Sequence, residues 1–202
     1  MKRIRTVAMG VAAIVAPVVV KAPAPARRSG PTTVAELIGR CEASGAEEEA
    51  LVNVAIREVA DAFPYYSLWH SWERPETALS HGRGWSHQYN TVLLLVLRGL
   101  GFQAEAVHAA RVRGFKRPWW LAGHTWVKVL VRGRRLDACA SRGDNRAGEP
   151  GFVPLTAELP LRRVTRWAVG VAVTPFVVTE IWRAWLTGRP VAPWVYGPRD
   201  TV

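Results

Sequence analysis

The sequence contains few cysteines and few lysines. Only Cys41 and Cys139 occur in 202 residues, so neither a disulfide framework nor a cysteine-rich zinc site is predicted. A single bridge between the two stays open for an exported protein. Only four of the 27 basic residues are lysines, so most of the positive charge comes from arginine.

The sequence also lacks a long block of one charge. The net charge is +11, but it is spread along the chain, and neither a groove-reading helix nor an aromatic RNA-binding motif is recognisable. Nucleic acid is therefore not an expected partner. His70, His81 and His87 lack regular ligand spacing, so we expect no metal and no cofactor.

No uninterrupted apolar run reaches the length of a membrane span. The run from Val7 to Val20 has roughly 14 residues, short of the usual length, and is broken by Pro17. A second apolar stretch, residues 167–186, contains Pro175, Glu180 and Arg183. We interpret it as a core helix rather than a span.

The N-terminal residues resemble a targeting segment. Lys2, Arg3 and Arg5 precede the apolar run, and Ala24-Pro25-Ala26 follows it like a small-residue cleavage site. Three interpretations stay open, namely a cleaved signal, an uncleaved anchor and a helix packed on the domain. Export, membrane anchoring and a cytoplasmic location are all compatible with this segment.

The composition predicts one globular domain. Apolar residues make up 49% of the chain and charged residues 21%, which is typical of a folded protein. We assign residues 1–31 to the signal-like or anchor-like segment and its linker, and residues 32–202 to the domain. Ten tryptophans are present, several in close pairs such as Trp119 with Trp120 and Trp182 with Trp185. They suit core and rim packing, substrate stacking or a membrane interface.

Helices are predicted in the first half of the chain. Thr33 and Glu36 form a capping-box pattern that starts a short helix through Cys41. Apolar residues recur at helical spacing over residues 46–62, and Pro64 ends that helix. Residues 64–85 have the composition of an irregular loop. Residues 86–98 are apolar on nearly every side, which predicts a buried central helix.

Strands dominate the next part of the sequence. Residues 102–113, 124–131 and 134–140 alternate as strands do, and a turn at Arg132-Gly133 joins the last two into an antiparallel hairpin. A two-residue turn places Asp137 opposite Lys128, about 13 Å along the strand from His124. Residues 142–160 read as a loop, and a helix is predicted near 161–187. This order indicates an α+β fold with the central helix packed on an antiparallel sheet.

One set of side chains suits nucleophilic catalysis. Ser86 lies at the first turn of the central helix, where unpaired amides stabilise a developing oxyanion. His124 would take its proton, and Asp137 would orient the imidazole. The alternative is structural, with Ser86 capping the helix, His124 satisfied in the core and Asp137 ending a strand. Strand parity places Asp137, Cys139 and Ser141 on the same face as His124, so a bulge or tighter turn would bring Asp137 closer.

Several motifs agree with one known family in order and spacing. Gly84, Trp85, Ser86, Gln88 and Asn90 fall on the positions of a G-x-C-x-E-x-N segment, and Leu100-Gly101-Phe102 and Ala110-Arg111-Val112 follow in register. The His-Thr-Trp of residues 124–126 is similar to a His-Ala-Trp motif. Residues 80–140 thus resemble the transglutaminase-like superfamily, whose fold is papain-like, and within it the arylamine N-acetyltransferases.

The resemblance implies acyl transfer or hydrolysis of an amide or peptide. It implies acyl, aminoacyl or peptide substrates, although the chain is short for an arylamine acetyltransferase and we do not assign acetyl-coenzyme A. The catalytic residues implied are Ser86, His124 and Asp137. The substrate-binding residues implied are Trp85, Gln88, Asn90 and Trp126.

Two departures from the family pattern favour a second interpretation. Ser86 stands where the family has its nucleophilic cysteine, and Gln88 stands where it has a glutamate. An alcohol must lose its proton during attack, whereas a thiol beside an imidazole ionises readily. The alternative is therefore an inactive transglutaminase-like protein that binds a peptide or a partner protein. A third hypothesis is a basic protein held at a membrane surface by its first 20 residues.

Overall fold

The structure is a computed structural model that describes residues 2–25, 30–115 and 121–199. Ala26, in the cleavage-like site, and the pair Trp119 and Trp120 lie outside these ranges. The helices are α1 (Lys2–Val20), α2 (Val34–Ala43), α3 (Glu48–Asp61), α4 (Pro75–His81), α5 (Ser86–Gly99) and α6 (Arg163–Thr187). The strands are β1 (Tyr65–Ser67), β2 (Arg83–Gly84), β3 (Ala104–Ala109), β4 (Val112–Arg113), β5 (His124–Val131), β6 (Arg134–Ala138), β7 (Val153–Pro154), β8 (Leu159–Pro160) and β9 (Tyr196–Pro198).

The strands of the described residues form three small sheets. The largest has the order β6-β5-β3-β8 and is antiparallel throughout. A second has the order β2-β1-β9, in which β1 and β2 are parallel, and the third pairs β4 with β7. Helices packed on antiparallel strands confirm the α+β class.

The first two domain helices form near their predicted bounds, although α2 continues to Ala43, beyond Cys41, and α3 is shorter than residues 46–62. Thr33 caps α2, because its hydroxyl accepts a hydrogen bond from the Glu36 amide at 3.2 Å. The Glu36 carboxylate accepts in return from the Thr32 amide at 2.7 Å, which completes the capping pattern one residue early. Helix α3 buries a continuous apolar face that includes Val52, Ile56 and Val59.

Helix α5 is the buried central helix. Its Val92, Leu93, Val96 and Leu97 belong to the main core, together with residues of β5 and β6 such as Val127, Val129, Leu136 and Ala138. The helix ends at Gly99, and Gly101 just beyond it takes a left-handed φ of 87°. The Phe102 amide donates back to the Leu97 carbonyl at 3.0 Å.

The segment predicted as an irregular loop contains regular structure. Residues 64–85 include β1, α4 and β2. Pro75 is the first residue of α4, and Gly82 ends it with a left-handed φ of 65°. Both residues read as loop signals in the sequence, but proline at the first turn and glycine after the last one are also the usual ends of a helix. The expectation of a loop throughout was therefore wrong.

Helix α6 forms as predicted, but it is not a core helix. Only 22% of its apolar stretch is buried. The buried side is a stripe of Val173, Val177, Ile181 and Ala184. The first three pack in a second core cluster with Trp69 and Trp85 among others. The sequence expectation failed because apolar residues on every side of a helix usually indicate burial, whereas here one side stays exposed.

Truncation of Leu93 should reveal how much the fold depends on α5. We expect Leu93→Ala to lower the free energy of unfolding by about 2–5 kcal/mol, because the side chain is fully buried and leaves a cavity. Urea denaturation followed by circular dichroism measures this change. Leu155→Ala is the matched control, since Leu155 is half-exposed; equal losses in both variants would contradict the assigned core.

Candidate active site

The start of α5 is held by the side chain of Gln88. Its Oε1 accepts a hydrogen bond from the Trp85 amide at 3.1 Å, and its Nε2 donates to the carbonyls of His70 at 3.0 Å and Glu73 at 2.9 Å. Both amide hydrogens are therefore used to join α5 to the preceding loop. Gln88 was predicted to bind substrate, but in this structure its side chain is fully buried and its donors serve the fold.

Asn90 ties the same helix to the large sheet. Its Nδ2 donates to the Thr125 carbonyl at 2.6 Å, and its Oδ1 accepts from the Ala140 amide at 2.9 Å. Asn90 is completely buried. It was also predicted to bind substrate, and its observed contacts are again within the protein.

Ser86 lies one helical turn before Asn90 on the same side of α5. Residues four positions apart share a helix face, so Ser86 is on the side that looks towards β5. The side chain is buried, with 4% exposure. Within the described residues, its hydroxyl forms no hydrogen bond with His124 or with any other side chain. The predicted nucleophile is thus not joined by a hydrogen bond to the predicted base.

His124 is fully buried at the start of β5. Its ring lies 4.6 Å from the ring of Phe115 and 4.8 Å from that of Phe152, measured between centroids, and stacks on Trp126 at 6.4 Å. Its Nε2 lies 3.2 Å from the sulfur of Cys139. The closest polar neighbour of the imidazole in the described part of the chain is therefore a thiol.

Cys139 belongs to a small polar network beside His124. Its sulfur accepts from the Ser141 amide at 3.4 Å and from Asn90 Nδ2 at 3.5 Å, and it donates to the Ser141 hydroxyl at 3.2 Å. Asn145 holds this segment by donating to the Cys139 carbonyl at 2.8 Å. Burial raises the pKa of the Cys139 thiol, and the hydrogen bonds from Ser141 and Asn90 oppose that shift only in part. The group beside His124 is thus a neutral thiol at pH 7.

Asp137 does not take the orienting position. As predicted, it pairs with Lys128 across the hairpin, and its Oδ1 accepts from Lys128 Nζ at 2.9 Å and from the Trp126 indole at 2.8 Å. No hydrogen bond joins Asp137 to His124 among the described residues. Asp137 was predicted to orient the imidazole; in this structure the side chain that contacts it is that of Cys139, two residues later and just beyond β6.

The two predicted tryptophans line the interior rather than a cleft. Trp126 is completely buried, and its indole nitrogen is used by Asp137. Trp85 is buried beside His87 at a centroid distance of 5.5 Å and packs in the same cluster as α6. Both were predicted to contact substrate, and both contact the core in this structure.

A cleft of about 810 Å³ lies next to these residues. Its walls come from the end of α3, from α5 and from the loop after β6, and include Asp61, Tyr66, Tyr89, Phe115, Ser141, Arg142 and Arg199. Phe115 borders the cleft and also covers His124, so this ring separates the two. Neither Ser86 nor His124 lines the cleft.

Arg199 forms part of the cleft wall and was not predicted from the sequence. Its guanidinium donates to the carbonyls of Ala60 at 2.7 Å, Phe63 at 3.3 Å and Ala140, and it lies 4.3 Å above the ring of Tyr89. It thereby joins the end of α3, the start of β1 and the segment after β6. No local motif marks it, because all its partners are distant in sequence.

His70 and His81 have separate partners, and neither ring nitrogen of His87 has a hydrogen-bond partner among the described residues. His70 Nδ1 lies 2.6 Å from the Ser67 hydroxyl, whereas His81 Nδ1 lies 3.0 Å from a carboxylate oxygen of Glu73. That carboxylate also accepts from Arg83 at 2.8 Å. Among residues 2–25, 30–115 and 121–199, no three side chains of histidine, cysteine, aspartate or glutamate are grouped so that they could hold a metal ion.

Comparisons with known proteins return one structural similarity. No family profile matches the sequence, and no curated protein is significantly similar. A solved structure described as "Crystal structure of a TGase" matches with a TM-score of 0.43 and 14% sequence identity. The match covers 53% of this chain and 30% of that one.

Gln88→Glu tests the assignment of Gln88 to the fold. The variant would point a carboxylate oxygen at two carbonyl oxygens, so we expect the free energy of unfolding at pH 7 to fall by at least about 2 kcal/mol. The loss should shrink as the pH is lowered, because a protonated glutamate donates to one carbonyl again. Urea denaturation at several pH values checks this, with the exposed Gln103→Glu as the matched control. A neutral effect at Gln88 would contradict the contacts described.

Buried histidines should make the fold sensitive to mild acid. Burial lowers the pKa of His87 to about 3, with Arg166 acting in the same direction, and burial lowers the pKa of His70 to about 4. Below about pH 6.5 these histidines bind protons in the unfolded chain but stay neutral in the folded one. The free energy of unfolding therefore decreases as the pH falls from 6.5 towards 3. We expect His87→Phe to reduce this slope by up to about 1.4 kcal/mol per pH unit. Urea denaturation between pH 7.5 and 5 measures it, and an unchanged slope would refute the role of His87.

Proposed function

We propose that this chain is a transglutaminase-like protein that binds a peptide or a partner protein in its cleft and does not form an acyl-enzyme. The observation that carries the proposal is the hydrogen bond of 3.2 Å between His124 Nε2 and the Cys139 sulfur. It places a neutral thiol, and not a carboxylate, against the Nε2 atom of the imidazole. Asp137, the candidate for that role, is engaged by Lys128 and Trp126.

The loss of a charged orienting group matters most for a serine nucleophile. The imidazole takes the proton of the alcohol and thereby becomes positively charged. A neighbouring carboxylate stabilises that charge. Replacement of the carboxylate by a neutral group in serine hydrolases costs on the order of 10⁴ in rate. A buried thiol with a raised pKa supplies no such charge. Proton transfer from Ser86 to the imidazole is therefore unfavourable for two reasons. An alcohol must lose its proton during attack, and Cys139 supplies no charge that stabilises the imidazolium.

Access to the imidazole is limited by aromatic rings. His124 is completely buried, and Phe115 and Phe152 pack against it at 4.6 and 4.8 Å. A substrate would have to displace one of these rings before it could approach the His124 imidazole. The open cleft on the far side of Phe115 has no such obstacle.

The lining of the cleft suits an extended polar peptide. Phe115 is partly exposed and offers aromatic surface, Asp61 and Arg142 offer charges of opposite sign, and the cleft is about 810 Å³ in volume. Recognition sites of this kind combine apolar contacts with a few placed polar groups. A peptide or a segment of a partner protein presents both kinds of group.

A second candidate function is acyl transfer or hydrolysis of an amide by Ser86, on acyl, aminoacyl or peptide substrates. The position of Ser86 at the first turn of α5 favours it, because amides at a helix start are suited to an oxyanion. In the tautomer whose Nε2–H donates a hydrogen bond to the Cys139 sulfur, Nδ1 is unprotonated and is the basic nitrogen. In this scheme Cys139 orients His124 in place of Asp137.

Covalent labelling distinguishes the two candidates. Purified protein is treated with fluorophosphonate and activated-ester probes, and adducts are detected by intact mass and located by peptide mapping. We expect no stoichiometric adduct on wild type. Labelling at Ser86 that disappears in Ser86→Ala and in His124→Ala would overturn the binding proposal and establish the second candidate.

A double variant that places a cysteine at position 86 and a carboxylate beside His124 is the positive test in the same experiment. We expect the double variant Ser86→Cys, Cys139→Asp to react with activated esters at residue 86 at least tenfold faster than Ser86→Cys alone, because a carboxylate beside His124 favours the ion pair of thiolate and imidazolium. Circular dichroism confirms that each variant is folded. A folded double variant that reacts no faster would contradict the proposal that the thiol of Cys139, in place of a carboxylate, limits the reaction.

A further inference from the structure

Exposed apolar side chains are concentrated on two helices. Among the described residues, fourteen large apolar side chains are exposed, and five of them lie on α1 and five on α6. Those on α1 are Met9, Val11, Ile14, Val19 and Val20, and those on α6 are Val164, Trp167, Val171, Phe176 and Leu186. A patch of this extent on a soluble protein marks a binding surface.

Helix α6 is apolar on both of its sides. The inner side, with Val173, Val177 and Ile181, is packed on the domain. The outer side carries Trp167 at 74% exposure and Val171 at 51%. No charged residue occurs from Trp167 to Thr179. Water solvates such a face poorly, and the described part of the chain does not cover it.

Helix α1 extends this surface and is attached to the domain. Val18 is buried in the cluster that α6 enters, and its carbonyl accepts from the Trp69 indole at 2.9 Å. The carbonyl of Ile14 accepts from the Trp182 indole at 3.1 Å. The preceding residues from Ala8 to Ile14 are exposed on all sides. We call the exposed residues of α1 and α6 the apolar platform.

Positive charge surrounds the apolar platform. Arg162, Arg163 and Arg166 lie at the start of α6, and Arg183 and Arg189 lie near its end, all of them exposed. The ammonium group of Lys21 lies 5.4 Å from the ring of Trp185. The sequence of α1 contains no acidic residue, and the single acid of α6, Glu180, is buried and paired with Arg183 at 2.6 Å.

We propose that the apolar platform lies in the boundary of an anionic lipid bilayer, with its arginines at the headgroups. Apolar side chains, interfacial tryptophans and a basic rim are the features of helices that lie on a membrane. Because the inner side of α6 is packed on the domain, the helix rests along the surface and does not cross the bilayer as a separate span. The charge distribution favours a negatively charged surface over a neutral one.

Vesicle flotation with the full chain tests the platform. We expect the protein to float with phosphatidylcholine vesicles that contain about 30% phosphatidylglycerol, and to float less with pure phosphatidylcholine. The triple variant Trp167→Gln, Val171→Gln, Phe176→Gln should bind at least about tenfold more weakly, because it removes apolar area from the outer side of α6. Its folding is checked by circular dichroism.

A matched control uses exposed apolar residues elsewhere on the molecule. Val153, Leu155 and Leu159 are about as exposed as the residues replaced on α6, and we expect glutamine at these three positions to leave flotation unchanged. Binding to the anionic vesicles should weaken by roughly tenfold or more in the triple variant Arg162→Gln, Arg163→Gln, Arg189→Gln. The equal charge change at Arg132, Arg134 and Arg135 on the β5–β6 hairpin should have a smaller effect.

Several outcomes would overturn the membrane proposal. Wild type that does not float with anionic vesicles refutes it, as does equal weakening by the two apolar triple variants. Light scattering after size exclusion is measured in parallel. A wild-type dimer that becomes monomeric in the α6 triple variant, without vesicle binding, would show that a second copy of the chain covers the platform.

Discussion

The burial of α5 against the large sheet is the constraint on which the rest of the structure depends. Apolar contacts from Leu93 and Val96 fill the core, but the first turns of the helix bring polar side chains into the same interior. Each buried polar group requires a partner. Asn90 finds two on the backbone of the sheet, and Gln88 finds three on the preceding loop. The position of α5 is therefore set by hydrogen bonds at one end and by apolar packing at the other.

These hydrogen bonds also shape the candidate site. Asn90 connects α5 to the segment after β6, where Cys139 and Ser141 lie beside His124. Side chains that the family resemblance assigns to substrate are used here to hold the site together. Within the part of the chain that the structure describes, the side chains of this network are those of Cys139, Ser141 and Asn90, and none of the three is a carboxylate.

The molecule has two apolar surfaces of different kinds. The core around α5 is closed on all sides by α2, α3 and the large sheet. The cluster around Trp69 and Val195 is closed by α6 on one side only, and the outer side of α6 continues into the exposed side chains of α1. None of the residues of the apolar platform lines the cleft.

Local patterns in the sequence determined the regular elements, and long-range packing decided how they are used. The capping pair at Thr33 and Glu36, the apolar run of α5 and the register of Asp137 opposite Lys128 were all predictable, because each depends on neighbours in the chain or on one short turn. The hydrogen bond between Cys139 and His124 was not, since strand parity admits Asp137, Cys139 and Ser141 equally and only side-chain contacts choose among them. The exposure of α6 could not be predicted from the sequence either, because an apolar segment has the same composition whether protein or another apolar medium covers it. Periodicity and capping are properties of a segment, whereas burial and the partners of a polar group are properties of the whole fold.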